Sequence, residues 1–360
     1  MPKKFWPAAL CGLSLLALPV TASAQYFKDK TITMIINYGA GGNADTEGRI
    51  FQRHLSKHIA GKPTIVVNNI PGAGGMTAVN RMGLGIGVRD PSLTMGFFTF
   101  NLIAPLIEDP ALQVKMDVFE TVGGVGQYSV TYAVKSKLPG KQQPADIAKA
   151  KGIYAAGYSR SSSHDIRVRL MLDVMGPEYK VVTGFRSVGA VNQAMLQGEI
   201  NFMLSTIPGY QTQVIPNLIN TGVAIPMWQV GALGPDGKMI GSPALTKAGV
   251  PFFEDVYKQA YGKLPDSPKY KALALTADAN IRLARMVLMP KKADPQALAE
   301  LRKAFLALRE DKDFASEYNR IIKSEPSLVS GEDANAILSK MLKETPDEIR
   351  KVLKQAAGVK

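Results

Sequence analysis

The sequence predicts an α/β protein of two lobes, and three observations carry that prediction. Short apolar strands alternate with helical stretches, and each strand ends in a turn bearing Gly or Asn. The alternation runs twice, in one series ending near Phe100 and in a second from Thr121 to Ser205. The chain of 360 residues is also longer than one core usually serves.

The chain opens MPKKFWPAALCGLSLLALPVTASA, in which two lysines precede a short apolar stretch and Ala22-Ser23-Ala24 precedes Gln25. This reads as a signal peptide, residues 1–24, cleaved after Ala24. The alternative is an anchor that stays on, although the stretch is short for a bilayer. Cys11 is the only cysteine, and Leu10 stands before it where a lipoprotein carries a small residue. Cleavage therefore leaves no disulfide, no thiol nucleophile and no cysteine metal site, which fits a periplasm. The formal charge of +13 becomes +11 when Lys3 and Lys4 depart, and such a surface favours anionic partners. The basic residues are scattered, without a strip interleaved with aromatics, so no nucleic acid is expected as partner.

The first series contains the strands TITMIIN, PTIVVNN and LTMGFFTF. The helix after the first strand places Ala44, Gly48, Phe51, Leu55 and Ile59 on one face, with Asn43 as cap and Asp45 and Glu47 in its first turn. The second series follows TVGGVGQYSVTYAV. It comprises helix PADIAKAK, strand GIYAAG, a helix from His164 to Met175, strand KVVTGF, helix VGAVNQAML and strand INFMLS. Beyond VAIPMWQV the chain is largely helical, interrupted by the strand-like RLARMVLM and ending in a charged tail from Lys312 to Gln355. Parallel sheets with crossover helices are expected. Connecting strands near Gly126 to Ser136 and Thr221 to Gly231 would join a lobe of residues 25–126 plus 231–360 to a lobe of residues 127–230. A site would then lie in the crevice at the C-terminal strand ends.

Three turns between a strand and a helix could hold an anion. NYGAGGNADTE lacks the Lys-Ser/Thr ending of a P-loop and does not complete G-x-G-x-x-G, so a nucleotide is not indicated. PGAGG, residues 71–75, offers backbone donors and no catalytic group; its bland reading is a tight turn needing positive φ. YAAGYSRSSSH gathers Ser161, Ser162, Ser163 and Arg160 at a helix start, a receptor suited to a carboxylate. A serine hydrolase using Ser161–Ser163 with His164 is the rival reading, though no G-x-S-x-G elbow is present. His54 and His58, four apart, find no HExxH or carboxylate pair to complete a zinc site and read as a solvated face.

The order IINYGAGGNAD, VVNNIPGAGG, FETVGGVGQYSV, YAAGYSRSSSH, TGFRSVGAVNQAMLQGEINFML and VLMPKKADPQALAELRKAF resembles the periplasmic receptors of tripartite tricarboxylate transporters. The resemblance covers nearly all the mature chain. It implies a two-lobed periplasmic binding protein fold of the second type, a Venus flytrap, closing on a small organic carboxylate. The acid would be held by backbone amides, hydroxyls and waters and passed to the membrane permease subunits of the transporter. The ligand-binding residues it implies are Tyr38, Gly39, Ala40, Gly41, Gly42, Asn43 and Asp45 in the first turn and Gly74 in the second. Phe97, Phe98 and Thr99 would follow the third strand. The second lobe would add Tyr158, Ser159, Arg160, Ser161, Ser162, Ser163, His164, Phe185, Arg186 and Ser205.

Several positions depart from the resembling receptors. Gly39 and Ala40 replace a proline pair, Phe97 and Phe98 replace small hydroxyl residues, Arg160 replaces a small residue, Ser205 stands for a common aspartate, and a segment around residues 252–276 is extra. The aromatics suggest an acid with an apolar body, and Arg160 suggests a direct ion pair. The expected protein is a monomeric binding protein, not an enzyme, with no cofactor and no metal. Delivery to a transporter and presentation to a sensor both remain open.

Overall fold

The structure, a computed structural model, describes residues 25–233 and 239–359; the expected signal peptide, residues 1–24, lies outside the described residues. β1 (Thr31–Ile36) pairs in parallel with β2 (Thr64–Asn69) and with β3 (Thr94–Phe98). α1 (Asn43–His58) and α2 (Met76–Gly83) are the crossovers between them. After β4 (Phe119–Gly126) the chain passes at Gln127 and Tyr128 into a second sheet. That sheet consists of β5 (Ser129–Val134), β6 (Ile153–Ala156), β7 (Tyr179–Val182), β8 (Phe202–Thr206) and β9 (Ala224–Val230). Its helices are α3 (Ser163–Met175), α4 (Val188–Leu196) and α5 (Ile207–Gly209), the last continuing as a π-helical stretch, Tyr210–Ile219.

Past β9, β10 (Ala232–Leu233) pairs with β11 (Met239–Ile240), and α6 (Pro243–Lys247), α7 (Phe253–Tyr261) and α8 (Pro268–Arg282) follow. The chain then re-enters the first sheet as β12 (Arg285–Pro290). It ends with α9 (Pro295–Ala307), α10 (Lys312–Ile322), β13 (Ser327–Ser330), α11 (Gly331–Glu344) and α12 (Asp347–Ala357). The strand orders are β13-β4-β12-β3-β1-β2 and β7-β6-β8-β5-β9.

Both sheets are mixed rather than parallel. β12 runs antiparallel to β3 and β4, β13 antiparallel to β4, and β5 antiparallel to β8 and β9. A strand that arrives from the other sheet enters from the opposite end, so the crossing strands break the parallel rule. PADIAKAK is a 3₁₀ stretch, Pro144–Lys149, rather than an α-helix, and the charged tail holds an unexpected strand, β13.

Period-two alternation sends Ile32, Met34 and Ile36 of β1 to one face, against Phe51 and Leu55 of α1. Phe51 anchors an aromatic cluster there, with ring centroids 5.1 Å from Phe97 and 5.0 Å from Phe314. β3 is covered on both faces: Phe97 joins this cluster and Phe98 the opposite one.

In the second sheet, Trp228 of β9 is fully buried between Phe202 and Phe253, with ring centroids 5.7 and 5.4 Å away. Phe253 begins α7, so the extra segment packs onto the second sheet, and Tyr261 donates to the Met175 carbonyl at 2.6 Å. α8 then packs against α3, α11 and α12, and α12 also touches α3. No helix among the described residues is long and apolar enough to cross a membrane.

Candidate functional site

The first turn is shaped by a carboxylate rather than by glycine alone. Asp45, third residue of α1 and buried, accepts the Gly41 N–H at 2.8 Å and the Asn69 amide at 3.0 Å, and pairs with Arg49 at 2.9 Å. Burial works to raise its carboxyl, but the Arg49, Gly41 and Asn69 hydrogen bonds outweigh it and hold the group below its ordinary value. Pinned in this way, Tyr38 to Gly42 stand exposed, and the amides of Gly39 and Ala40 take no partner among the described residues. Asp45 is therefore a scaffold of the turn, not a group open to a ligand.

The second lobe repeats the device. Asp165, third residue of α3 and fully buried, accepts the Tyr158 N–H at 2.8 Å and the Ser162 hydroxyl at 3.0 Å. A side chain at Gly157 would collide with this carboxylate, so glycine is required there. Ser162 caps α3 by accepting the Asp165 N–H. The helix start, with its unpaired amides and partial positive charge, thus faces the first lobe.

The turns meet at the junction of the two sheets. The Ser163 hydroxyl donates to Asn101 Oδ1 at 2.6 Å, and the Asn101 amide donates to the Ser161 carbonyl at 2.8 Å. Gly74 faces the Ser159 side chain, while Asn43, Ser205 and Gly209 surround one small space. Tyr38 donates to the Gly74 carbonyl at 3.1 Å. The Tyr158 ring meets that of His164 at a tilt of 59° with centroids 4.7 Å apart; burial pushes its phenol well up, and Tyr38 and Asp165 add to that. Behind the turns, buried Asn37 ties three strand ends together: its amide donates to the Gly75 and Thr99 carbonyls and its carbonyl accepts the Thr99 N–H. Gly75 has φ of 94° and no room for a side chain beside Asn37.

Several expected site residues lie elsewhere. Phe97 and Phe98 are fully buried within β3 itself rather than in the loop after it, so they lend no apolar wall to the cleft. Arg160 is exposed and lays its guanidinium against Gly358 just past α12, lining a groove with Arg169 and Tyr179 instead of turning toward the serines. Phe185 packs against an apolar cluster of the second lobe, and Arg186 is exposed.

The hydrolase geometry is not formed. His164 Nε2 donates to the Leu204 carbonyl at 2.7 Å and Nδ1 lies 3.1 Å from Asp165, while the Ser162 and Ser163 hydroxyls are engaged with Asp165 and Asn101. Both ring nitrogens of His164 are thus occupied, and neither by a serine.

His54 and His58 are not a solvated face. His54 is buried, accepts from Lys57 at Nδ1 and donates from Nε2 to Glu317 at 2.6 Å; His58 Nε2 meets Asp311 at 2.8 Å. They bind α1 to α10, and among the described residues no group of three or more His, Cys, Asp and Glu could hold a metal ion.

Asn37, Asn101 and Asp165 were not singled out from sequence. An Asn directly after an apolar strand, and an Asp third in the helix that follows, are the signals that could have found them. Arg167, likewise not singled out, is buried on α3 with Nε and Nη1 unpaired.

No protein-family model matches the chain. The UPF0065 protein in gbd 5'region of Cupriavidus necator is 40% identical over 75 residues, 21% of this chain and only 22% of that protein's length. Among solved structures the chain is similar to MatC from Rhodopseudomonas palustris with bound malate, with a TM-score of 0.60 at 16% identity, covering 90% of this chain and 98% of that one. A TctC solute binding protein from Polaromonas gives 0.58 at 15% identity over 90% and 98%. An R. palustris protein with adipate gives 0.64 at 13% identity over 91% and 97%. The chain has the two-lobed α/β fold of these solved structures.

Proposed function

We propose that the chain is a periplasmic solute-binding protein, the receptor of a tripartite tricarboxylate transporter of the TctC/Bug type. It captures a small organic carboxylate and presents it to the membrane permease subunits. The observation that carries this reading is the meeting of three strand-to-helix turns at the junction of the sheets, with unpartnered amides at Gly39 and Ala40 opposite the start of α3. Such a place favours an anion and offers no nucleophile-base pair. The structural neighbours that hold malate and adipate support the ligand class.

The ligand-binding set proposed is Tyr38 to Asn43, Gly74, Thr99, Tyr158, Ser159 and Ser161 to His164, with Ser205 at its edge. The lobes proposed to close are residues 25–126 plus 231–360 and residues 127–230, through the crossings at Gln127 and after Val230. Ligand that touches both lobes favours the closed form over the open one.

Thermal unfolding of the mature protein against a panel of aliphatic and aromatic mono-, di- and tricarboxylates tests this reading. At least one acid should raise the melting temperature in a concentration-dependent way, because only the folded state binds it. A panel without effect would contradict the proposal.

A further inference from the structure

Beside α12 the second lobe carries a groove that shares no residue with the proposed ligand-binding set. It consists of two adjoining pockets of about 180 and 380 Å³, both lined by Arg160, Arg169 and Tyr179. The last turns of α12 close one side of the smaller pocket.

Two guanidinium groups converge there. Arg169 Nη1 donates to the Arg160 carbonyl at 2.8 Å, which draws its head back to the turn before α3. The Arg160 guanidinium rests on Gly358, where a side chain would collide with it. The carbonyls that end α12 carry partial negative charge, so a cation is held at this end of the helix. Burial pulls the Arg169 guanidinium below its usual value; Asp165 opposes that, and Arg160 adds to it as a neighbouring like charge.

The charge of the pair is not met inside the groove. Asp173 is the one carboxylate among its lining residues, and it accepts the Tyr179 hydroxyl at 2.5 Å and pairs with Lys269 at 2.7 Å. Among the described residues the Arg160 guanidinium has no hydrogen-bond or ion-pair partner, and Arg169 has only the carbonyl. Three cations stand against one carboxylate, a surplus of two positive charges. Leu170, Val181 and Val352 lie in the same walls, and low-dielectric walls concentrate the field of the cations.

We infer that this groove is a second anion site, separate from the cleft, in which Arg160 and Arg169 together hold one small oxyanion of two or more negative charges, of the sulfate or phosphate kind. A divalent ion matches the surplus, and its several oxygens can accept from both planar forks at once. The inference does not depend on which solute the cleft captures.

Calorimetric titration of the mature protein with sulfate and with inorganic phosphate, in sodium chloride at constant ionic strength, tests it on wild type, R160M and R169M. Chloride then serves as the competing monovalent ion. Wild type should bind sulfate or phosphate at one ion per chain, and each variant should bind that ion about tenfold more weakly or worse. R160K and R169K, which keep the charge without the fork, should fall between. A wild-type crystal soaked in selenate should show its anomalous peak between the two guanidinium groups. Failure of wild type to bind either ion would overturn the inference. Affinity within about twofold of wild type in either variant would overturn it too, since the ion would then sit elsewhere, the cleft included. Should R169M not fold, R160M and the selenate peak decide by the same criteria.

Discussion

The hydroxyl of Ser163, at the start of α3, donates to the side-chain carbonyl of Asn101 at 2.6 Å, and Asn101 in turn donates to the Ser161 carbonyl. Asn101 follows a strand of the first sheet and Ser163 follows one of the second, so this pair closes the gap between them. Asn101→Ala removes both bonds and should weaken carboxylate binding by roughly 1–2 kcal/mol, about 5- to 30-fold. Calorimetry measures the loss, and small-angle scattering of the ligand-free variant should show a more open particle than wild type. Unchanged affinity would mean that the pair does not take part in closure.

Asp45 and Asp165 occupy the same place in their helices, and each fixes the turn before it by accepting backbone N–H groups. Asp165 also holds Ser162 and His164 and is fully buried. Asp165→Ala should destabilise the protein by about 2–3 kcal/mol, since it strands buried donors. It should also abolish carboxylate binding, because the Tyr158–Ser162 turn loses its shape. Denaturant titration and calorimetry on the one variant check both. An affinity that survives with full stability lost would separate the turn from the site.

Glu47 is buried beneath the cleft and faces Arg285 at 2.9 Å, poorly aligned for a hydrogen bond, while accepting from Gln127 at 2.9 Å and from the Tyr318 hydroxyl at 2.6 Å. Gln127 sits where the chain leaves the first sheet, so the cluster clamps the crossing to α1 and β12. Glu47→Ala strands the Arg285 cation and should cost about 3–5 kcal/mol. Adding Arg285→Met should restore a large part of that loss, a coupling that a double-mutant cycle in urea measures. Additive losses would show that the two charges do not depend on each other.

The α1–α10 contact sets an acid limit. Burial works to raise the Asp311 carboxyl, but the Phe314 amide and the neighbouring His58 and His54 outweigh it and hold it at about 2. Its folded value therefore lies below the unfolded value of about 3.9. The stabilisation it brings is complete above the unfolded value and fades as pH falls from about 4 toward 2. Asp311→Asn should be less stable than wild type at pH 6, by about 1–2 kcal/mol, and the two should converge near pH 2. Urea unfolding at several pH values checks the convergence; a constant difference down to pH 2 would contradict the assignment.

Much of this architecture was legible in the sequence where local chemistry dictates it. Glycine turns after apolar strands marked Tyr38–Asp45, Pro71–Gly75 and Tyr154–His164, and all three turns come together at the sheet junction. What failed was what tertiary contact decides. Phe97 and Phe98 stand inside the strand-like run LTMGFFTF, and the resemblance placed them in the loop after it, because an unbroken apolar run does not show which of its residues are covered on both faces. Arg160 and Arg167 are both arginines near one helix start, and only the packing of α3 against α8 and α12 decides which is buried. His54 and His58 seemed solvated because Asp311 and Glu317, their partners, lie more than 250 residues away in sequence.

The central claim, that this cleft holds a small organic acid, is tested most directly by mass spectrometry of whatever is released when the protein, purified from a periplasmic extract without added ligand, is denatured. A single class of carboxylic acid at close to one equivalent per chain is the predicted result. Release of a neutral sugar, a cation or a peptide in that stoichiometry, with no organic acid, would contradict it.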